Sequence, residues 1–143
     1  MSIKEKEQQV IEEFGLFDDW MDKYNYLIEL GKELPLLDES LKVEKYLISG
    51  CQAQVWLHAG FRDGKVVFTA DSDALITKGI VALLIRVLSG HSPQEILESD
   101  LSFIDEIGLK EHLSQTRSNG LVNMIKQMRL YAMAFQAKSI GNQ

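Results

Sequence analysis

Gln54-Val55-Trp56-Leu57-His58-Ala59-Gly60-Phe61, then Asp63-Gly64, then Lys65-Val66-Val67-Phe68-Thr69-Ala70, is the stretch that decides the fold: it predicts a β-hairpin. Both outer runs are rich in the β-branched and aromatic residues that suit a pleated sheet. In the first run Val55, Leu57, Ala59 and Phe61 fall on one face, while Gln54, Trp56 and His58 fall on the other. Asp63 and Gly64 tolerate the positive φ of a type I′ turn, so the two runs are expected to pair antiparallel. A third strand-like run, Lys42–Ser49, precedes them. Together they predict a three-stranded antiparallel sheet.

On either side of this sheet the period changes to that of helices. A polar helix is expected over Ile3–Phe14, broken at Gly15, and a second from an N-cap at Asp18 to about Gly31. The second carries Trp20, Tyr24, Leu27 and Ile28 on one face, which is expected to be core. Pro35 and Asp38-Glu39-Ser40 mark a loop. Beyond the hairpin, Asp71 and Asp73 are read as caps of a helix over Leu75–Leu88. Its apolar residues occupy nearly every face, as in a helix buried under a sheet. Ser92-Pro93-Gln94-Glu95 combines a capping box with proline at the first helical position, so a short helix is expected from Pro93. Ser102 and Asp105 repeat that spacing more weakly. A last helix, opening near Ser118, carries Leu121, Met124, Ile125, Met128, Tyr131, Ala132 and Phe135 at three- and four-residue steps, the pattern of a core stripe. The order of elements predicts an α+β fold in one domain, 1–143, with the helices packed on one face of the sheet.

Composition narrows the function. A chain of 143 residues with 45% hydrophobic and 25% charged residues has the makeup of a globular protein. Its 21 acidic residues outweigh 15 Lys and Arg, for a net charge of −6, and no basic run is long enough to follow a phosphate backbone. Nucleic acid is therefore not an expected partner. Nor is a membrane, since neither a signal-like apolar segment nor an uninterrupted apolar span is present, and a cytoplasmic location is expected. One cysteine and three scattered histidines give no closed metal ligand set. Whatever Cys51 does, it does as a lone thiol.

Cys51 lies in Ser49-Gly50-Cys51-Gln52-Ala53, where the chain turns between two strand-like runs. Taken alone, such a residue is either a small buried hydrophobe or a reactive surface thiol. Its surroundings are more specific. Ile48-Ser49-Gly50-Cys51-Gln52-Ala53-Gln54-Val55-Trp56-Leu57 resembles the signature of the SufE family of sulfur-acceptor proteins. Asp71-Ser72-Asp73-Ala74 before Lys78-Gly79, the Ser92-Pro93 helix start, and Leu113-Ser114-Gln115-Thr116-Arg117-Ser118-Asn119-Gly120-Leu121 match in the same order. The resemblance spans roughly residues 15–137. Ala53 departs from it, standing where the family usually has serine.

The resemblance implies an α+β fold shared with IscU-type scaffold proteins. It also implies a function: sulfur taken from the persulfide of a PLP-dependent cysteine desulfurase (SufS-like) onto Cys51, with stimulation of that enzyme. Delivery would be to an Fe–S cluster scaffold such as SufBCD. The chain itself would need no cofactor and would act as a monomer or weak homodimer. Because a free thiol is only a few per cent ionised at neutral pH, Arg117 is the candidate for stabilising the Cys51 thiolate. His58, on the strand after Cys51, is a weaker candidate base, and Trp56 is expected to fill the core. The alternatives are an IscU-like scaffold without sulfur transfer, which would need soft ligands from several chains, and a cysteine hydrolase, which would need a histidine beside Cys51.

Overall fold

The structure is a computed structural model and describes residues 1–141. Its sheet is the expected hairpin and no more: β1 (Val55–Arg62) pairs antiparallel with β2 (Lys65–Ser72), in register from Val55 opposite Ser72 to Arg62 opposite Lys65. Asp63 and Gly64 take φ values of 53° and 77°, as a type I′ turn requires. Val55, Leu57, Ala59, Val66, Phe68 and Ala70 point into the core.

The expected third strand is not formed. Lys42–Ser49 instead follows a 3₁₀ turn at Glu39–Leu41 and contains another at Glu44–Tyr46, and only Leu47 bridges to Trp56. The cause is side-chain chemistry that outcompetes the ladder. Asp38 accepts from the Ser40 amide at 2.9 Å and starts the first turn. The Lys42 ammonium then reaches across to Asp71 at 2.9 Å, which holds the segment against the edge of the hairpin. Trp56 is not in the core either: it is half-buried on the opposite face of β1, the face that His58 shares with Tyr46.

All the helices that build the core pack on the Val55–Leu57–Ala59 face. They are α1 (Ile3–Phe14), α2 (Trp20–Lys32), α3 (Leu75–Leu88), α4 (Pro93–Glu98), α5 (Phe103–Glu106) and α6 (Gln115–Gly141). The central one is α3, which buries Ile80, Val81, Leu83, Leu84, Val87 and Leu88. Its crossing with α2 is backbone to backbone at Gly31 and Gly79, where a β-carbon on Gly31 would come within 2.9 Å of the Gly79 nitrogen. On α2, Leu27 and Gly31 are buried, whereas Trp20 and Tyr24 are half-buried and clasp His112, Trp20 by stacking at 4.0 Å and Tyr24 by a hydrogen bond to its carbonyl. The capping box at α4 is present as expected, with Ser92 Oγ accepting from the Glu95 amide at 3.2 Å and Glu95 Oε1 from the Ser92 amide at 3.1 Å. Leu121, Met124, Met128 and Ala132 form the buried stripe of α6.

One charged residue is enclosed in this packing. Glu7 is 6% exposed, and its Oε2 accepts from the Phe103 amide at 3.1 Å, tying α1 to α5. Burial, and next to it the nearby Asp100, pushes its pKa above the usual carboxylate value despite that hydrogen bond. A raised folded pKa means that the protonated form suits the fold. The associated stability is complete below the pKa of the unfolded chain and is lost as pH rises through the folded value. Glu7→Gln keeps an acceptor for Phe103 without the charge. It is expected to stabilise the protein at pH 8 by on the order of 1 kcal/mol and to have little effect at pH 4. Urea midpoints at the two pH values check this; equal shifts at both would refute it.

Candidate functional site

The Cys51 loop is suspended between the hairpin and α6. On the hairpin side it is held at Gln54, whose amide donates to Asp73 Oδ1 at 3.0 Å and whose carbonyl accepts from Ser72 Oγ at 2.8 Å and from the Asp73 amide at 3.3 Å. Asp73 thus anchors the loop rather than capping α3. The expected cap is also absent at Asp71, because α3 follows Ala74 with no side-chain cap. Asp71 instead sits between Lys42 at 2.9 Å and Lys78 at 3.2 Å. Burial works to raise its pKa, but the hydrogen bonds from Lys42, from the Ser72 amide and from Lys78 outweigh it, and the carboxyl lies below the usual range.

On the α6 side, Gly50 turns the chain with φ 81° and its carbonyl accepts from Asn123 Nδ2 at 3.2 Å. Cys51 Sγ lies 3.8 Å from the Gly120 carbonyl oxygen, and a β-carbon on Gly120 would touch the sulfur at 3.4 Å. Glycine at this position lets the thiol settle against the helix backbone. The thiol is half-buried, packs on the edge of the core, and lines a cavity of about 320 Å³ whose apolar wall is Ala53, Ile80 and Met124. Burial pushes its pKa up. In this arrangement the protonated thiol is favoured at neutral pH.

Arg117 lines the same cavity. Helix α6 begins at Gln115, three residues before the expected start at Ser118, with Ser114 Oγ accepting from the Arg117 amide at 3.2 Å. Arg117 therefore occupies the first turn of the helix. Its side chain is exposed and makes neither an ion pair nor a hydrogen bond among the described residues, so the cation is available to an incoming group.

The histidines lie elsewhere. His58 meets Tyr46 edge-on at 5.1 Å, His91 is buried beside Glu95 at 3.4 Å, and His112 is stacked on Trp20. None of the three lines the Cys51 cavity. A larger cavity of about 400 Å³, walled by Leu101, Ile104, Ile125 and Met133, is lined by no cysteine, serine or histidine. Reasoning from sequence missed Gly120 and Asn123. Their signal was the three- and four-residue spacing of Arg117, Gly120, Asn123 and Met124, which places them on neighbouring faces of one helix.

The lone cysteine of the Gly50-Cys51-Gln52 signature is thus held between a glycine turn and a helix glycine. The family described as SufE, the Fe-S metabolism associated domain, matches residues 8–132. The chain belongs to the SufE family. It is 41% identical over 126 residues to an uncharacterised SufE-like protein of Rhizobium meliloti (strain 1021), covering 85% of this chain and 90% of that one. A SufE-like protein of Synechocystis is 40% identical over 128 residues, covering 90% of this chain and 80% of that one. The Arabidopsis thaliana protein named SufE-like protein 1, chloroplastic/mitochondrial, is 39% identical over 134 residues; the match takes in 93% of this chain but 36% of that longer protein.

A solved structure, the solution structure of a hypothetical protein from Thermus thermophilus, superimposes with a TM-score of 0.75. It covers 90% of this chain and 94% of that one, and at 24% identity it shows the shared fold alone. As a SufE protein, the chain is associated with Fe–S metabolism. Among the described residues no helix is long and apolar enough to cross a membrane. Ala53 contributes a methyl to the cavity wall, so no hydroxyl acts from that position.

Proposed function

We propose that this SufE protein is a sulfur acceptor that takes the terminal sulfur of a cysteine desulfurase persulfide onto Cys51 and passes it to an Fe–S cluster scaffold. The observation that carries the reading is the placement of the chain's one thiol, half-buried in its own cavity with an unpaired arginine at the same cavity. The partner is a SufS-like enzyme, and the PLP belongs to that partner; the chain itself uses no cofactor. The receiver is a scaffold of the SufBCD kind. In this reading the protein works in the cytoplasm as a monomer or weak homodimer.

The step is a relative of thiol–disulfide exchange. The Cys51 thiol gives up its proton, and the thiolate attacks the outer sulfur of the donor R–S–SH. The donor S–S bond breaks, its electron pair leaves on the donor as R–S⁻, and a new S–S bond leaves Cys51 as the persulfide. No oxidant is needed. With no second cysteine in the chain, that persulfide does not collapse into an internal disulfide, and its sulfur remains available to an outside acceptor. Because burial raises the thiol pKa, ionisation requires the Cys51 loop to leave the cavity on docking, or a cation to approach it. Arg117 supplies that cation from the cavity rim.

Intact mass of the protein, after incubation with a desulfurase and free cysteine, tests the function. Gain of one or more sulfur atoms, removed by a reductant and absent from Cys51→Ser, is expected. No gain from desulfurases shown to be active on their own would overturn the reading. For Arg117, the expected result is that Arg117→Ala slows sulfur loading roughly tenfold or more, the loss of one charge-assisted contact, with Arg117→Lys recovering part of the rate. Iodoacetamide alkylation of Cys51 in the free protein should stay unchanged in Arg117→Ala, because Arg117 makes no hydrogen bond to the resting sulfur.

A further inference from the structure

The Cys51 loop is tied unequally at its two ends. At Gln54 three hydrogen bonds, from Ser72 and Asp73 and to Asp73, fasten the backbone to the start of β1. At the other end the Ile48 amide donates to the Val55 carbonyl at 2.9 Å, and between that tie and Cys51 one side-chain hydrogen bond holds the loop, from Asn123 Nδ2 to the Gly50 carbonyl at 3.2 Å. The two groups are also in close steric contact, since a β-carbon built on Gly50 would overlap the Asn123 amide nitrogen. Only this orientation of the amide bonds the loop, because a flipped Asn123 would set its oxygen against the Gly50 carbonyl oxygen. Asn123 stands one helical turn from Gly120, whose carbonyl faces the thiol. One turn of α6 therefore holds both the peptide before Cys51 and the sulfur itself.

We propose that Asn123 is a positioning residue that latches the Cys51 loop: its amide holds Gly50, keeps the thiol in the cavity, and releases when the loop swings about Gln54 toward a partner. The inference rests on the sulfur-acceptor reading for its purpose, but the latch itself is a property of the free protein. Gly50, with φ 81° and an exposed surface, is the flexible end about which little else must break. The remaining restraints are the approach of Cys51 Sγ to the Gly120 carbonyl at 3.8 Å and the contact of Cys51 with its apolar neighbours.

The test is the rate of iodoacetamide alkylation of Cys51 in the free protein across pH 6–10, with no desulfurase present. Loss of one neutral hydrogen bond is expected to raise the open population, and so the neutral-pH rate, about fivefold in Asn123→Ala. The midpoint of the pH profile should move down toward that of an exposed thiol, because the open loop lacks the burial that raises the resting pKa. Asn123→Leu, which keeps the bulk but lacks the donor, should behave in the same way, and thermal melts establish that both variants are folded. Asn119→Ala removes another surface amide from α6, one that bonds Gln115 and not the loop, and should leave rate and midpoint unchanged. Unchanged alkylation in both Asn123 variants, or an equal rise in Asn119→Ala, would overturn the latch. Failure of the sulfur-acceptor reading would show separately, as no sulfur gain by the wild-type protein.

Discussion

Cys51→Ser is expected to take up no sulfur and to abolish stimulation of a cysteine desulfurase while folding as the wild type does. The substitution exchanges one atom, sulfur for oxygen, at a half-buried position on the edge of the core. The serine hydroxyl can still donate toward the Gly120 carbonyl, which Cys51 Sγ approaches to 3.8 Å. The change in stability should therefore stay within about 1 kcal/mol, the scale of a small polar substitution at such a site. Chemistry is lost altogether, because a serine hydroxyl is not ionised near neutral pH and does not carry a sulfane sulfur. The docking surface is unaltered, so the variant should also compete with wild type for the desulfurase. Desulfurase turnover, measured as alanine release with wild type, variant and mixtures, checks this. Full stimulation by Cys51→Ser would remove the thiol from the mechanism and with it the sulfur-acceptor reading.

The largest effect on stability is expected from Gly79→Ala. Intrinsic helix propensity alone would favour alanine inside α3 by about 1 kcal/mol. Tertiary packing reverses the sign. A β-carbon at position 79 would overlap the Leu27 carbonyl oxygen and crowd the Leu27 carbonyl carbon at 2.6 Å, and both are backbone atoms of α2 that cannot rotate away. The helices must separate, opening the contact in which Leu27 and Gly31 are buried. A cost of about 3 kcal/mol or more is expected, at the upper end for overpacking, with a fall in Tm of roughly 10 °C. Gly60→Ala is the control: a β-carbon there meets nothing within 4 Å, and Gly60 has no positive φ. A melt of Gly79→Ala as high as wild type would refute the backbone-to-backbone crossing. Function should suffer too, since Thr77 and Ile80 on the same stretch of α3 line the Cys51 cavity.

Much of this architecture was legible in the residues because it depends on local physics. Asp63-Gly64 announces its turn by the φ values that it tolerates, and Ser92-Pro93-Gln94-Glu95 announces a helix start by hydrogen bonds that close within four residues. The stripe at Leu121, Met124, Met128 and Ala132 shows which face of α6 is buried whatever it packs against. Where a distant partner competes with local propensity, the same reasoning fails. Lys42–Ser49 has the composition of a strand, yet Asp38 turns the chain just before it and Lys42 is drawn to Asp71. Asp73 has the position of a helix cap but bonds Gln54, nineteen residues back.

By itself, the sequence determined the hairpin, the order of the helices and the α+β class, each of which rests on residue type and on spacing along the chain. The proposed reactive segment, Gly50-Cys51-Gln52, was singled out by its resemblance to the SufE signature. Tertiary structure alone decided that the sheet stops at two strands and that His58 faces away while Arg117 shares the cavity of Cys51. It also decided that the thiol rests against Gly120 under the hold of Asn123. The last of these are distances between residues about seventy positions apart. Periodicity reports the face on which a side chain lies, and only the packing of one element on another reports what that face meets.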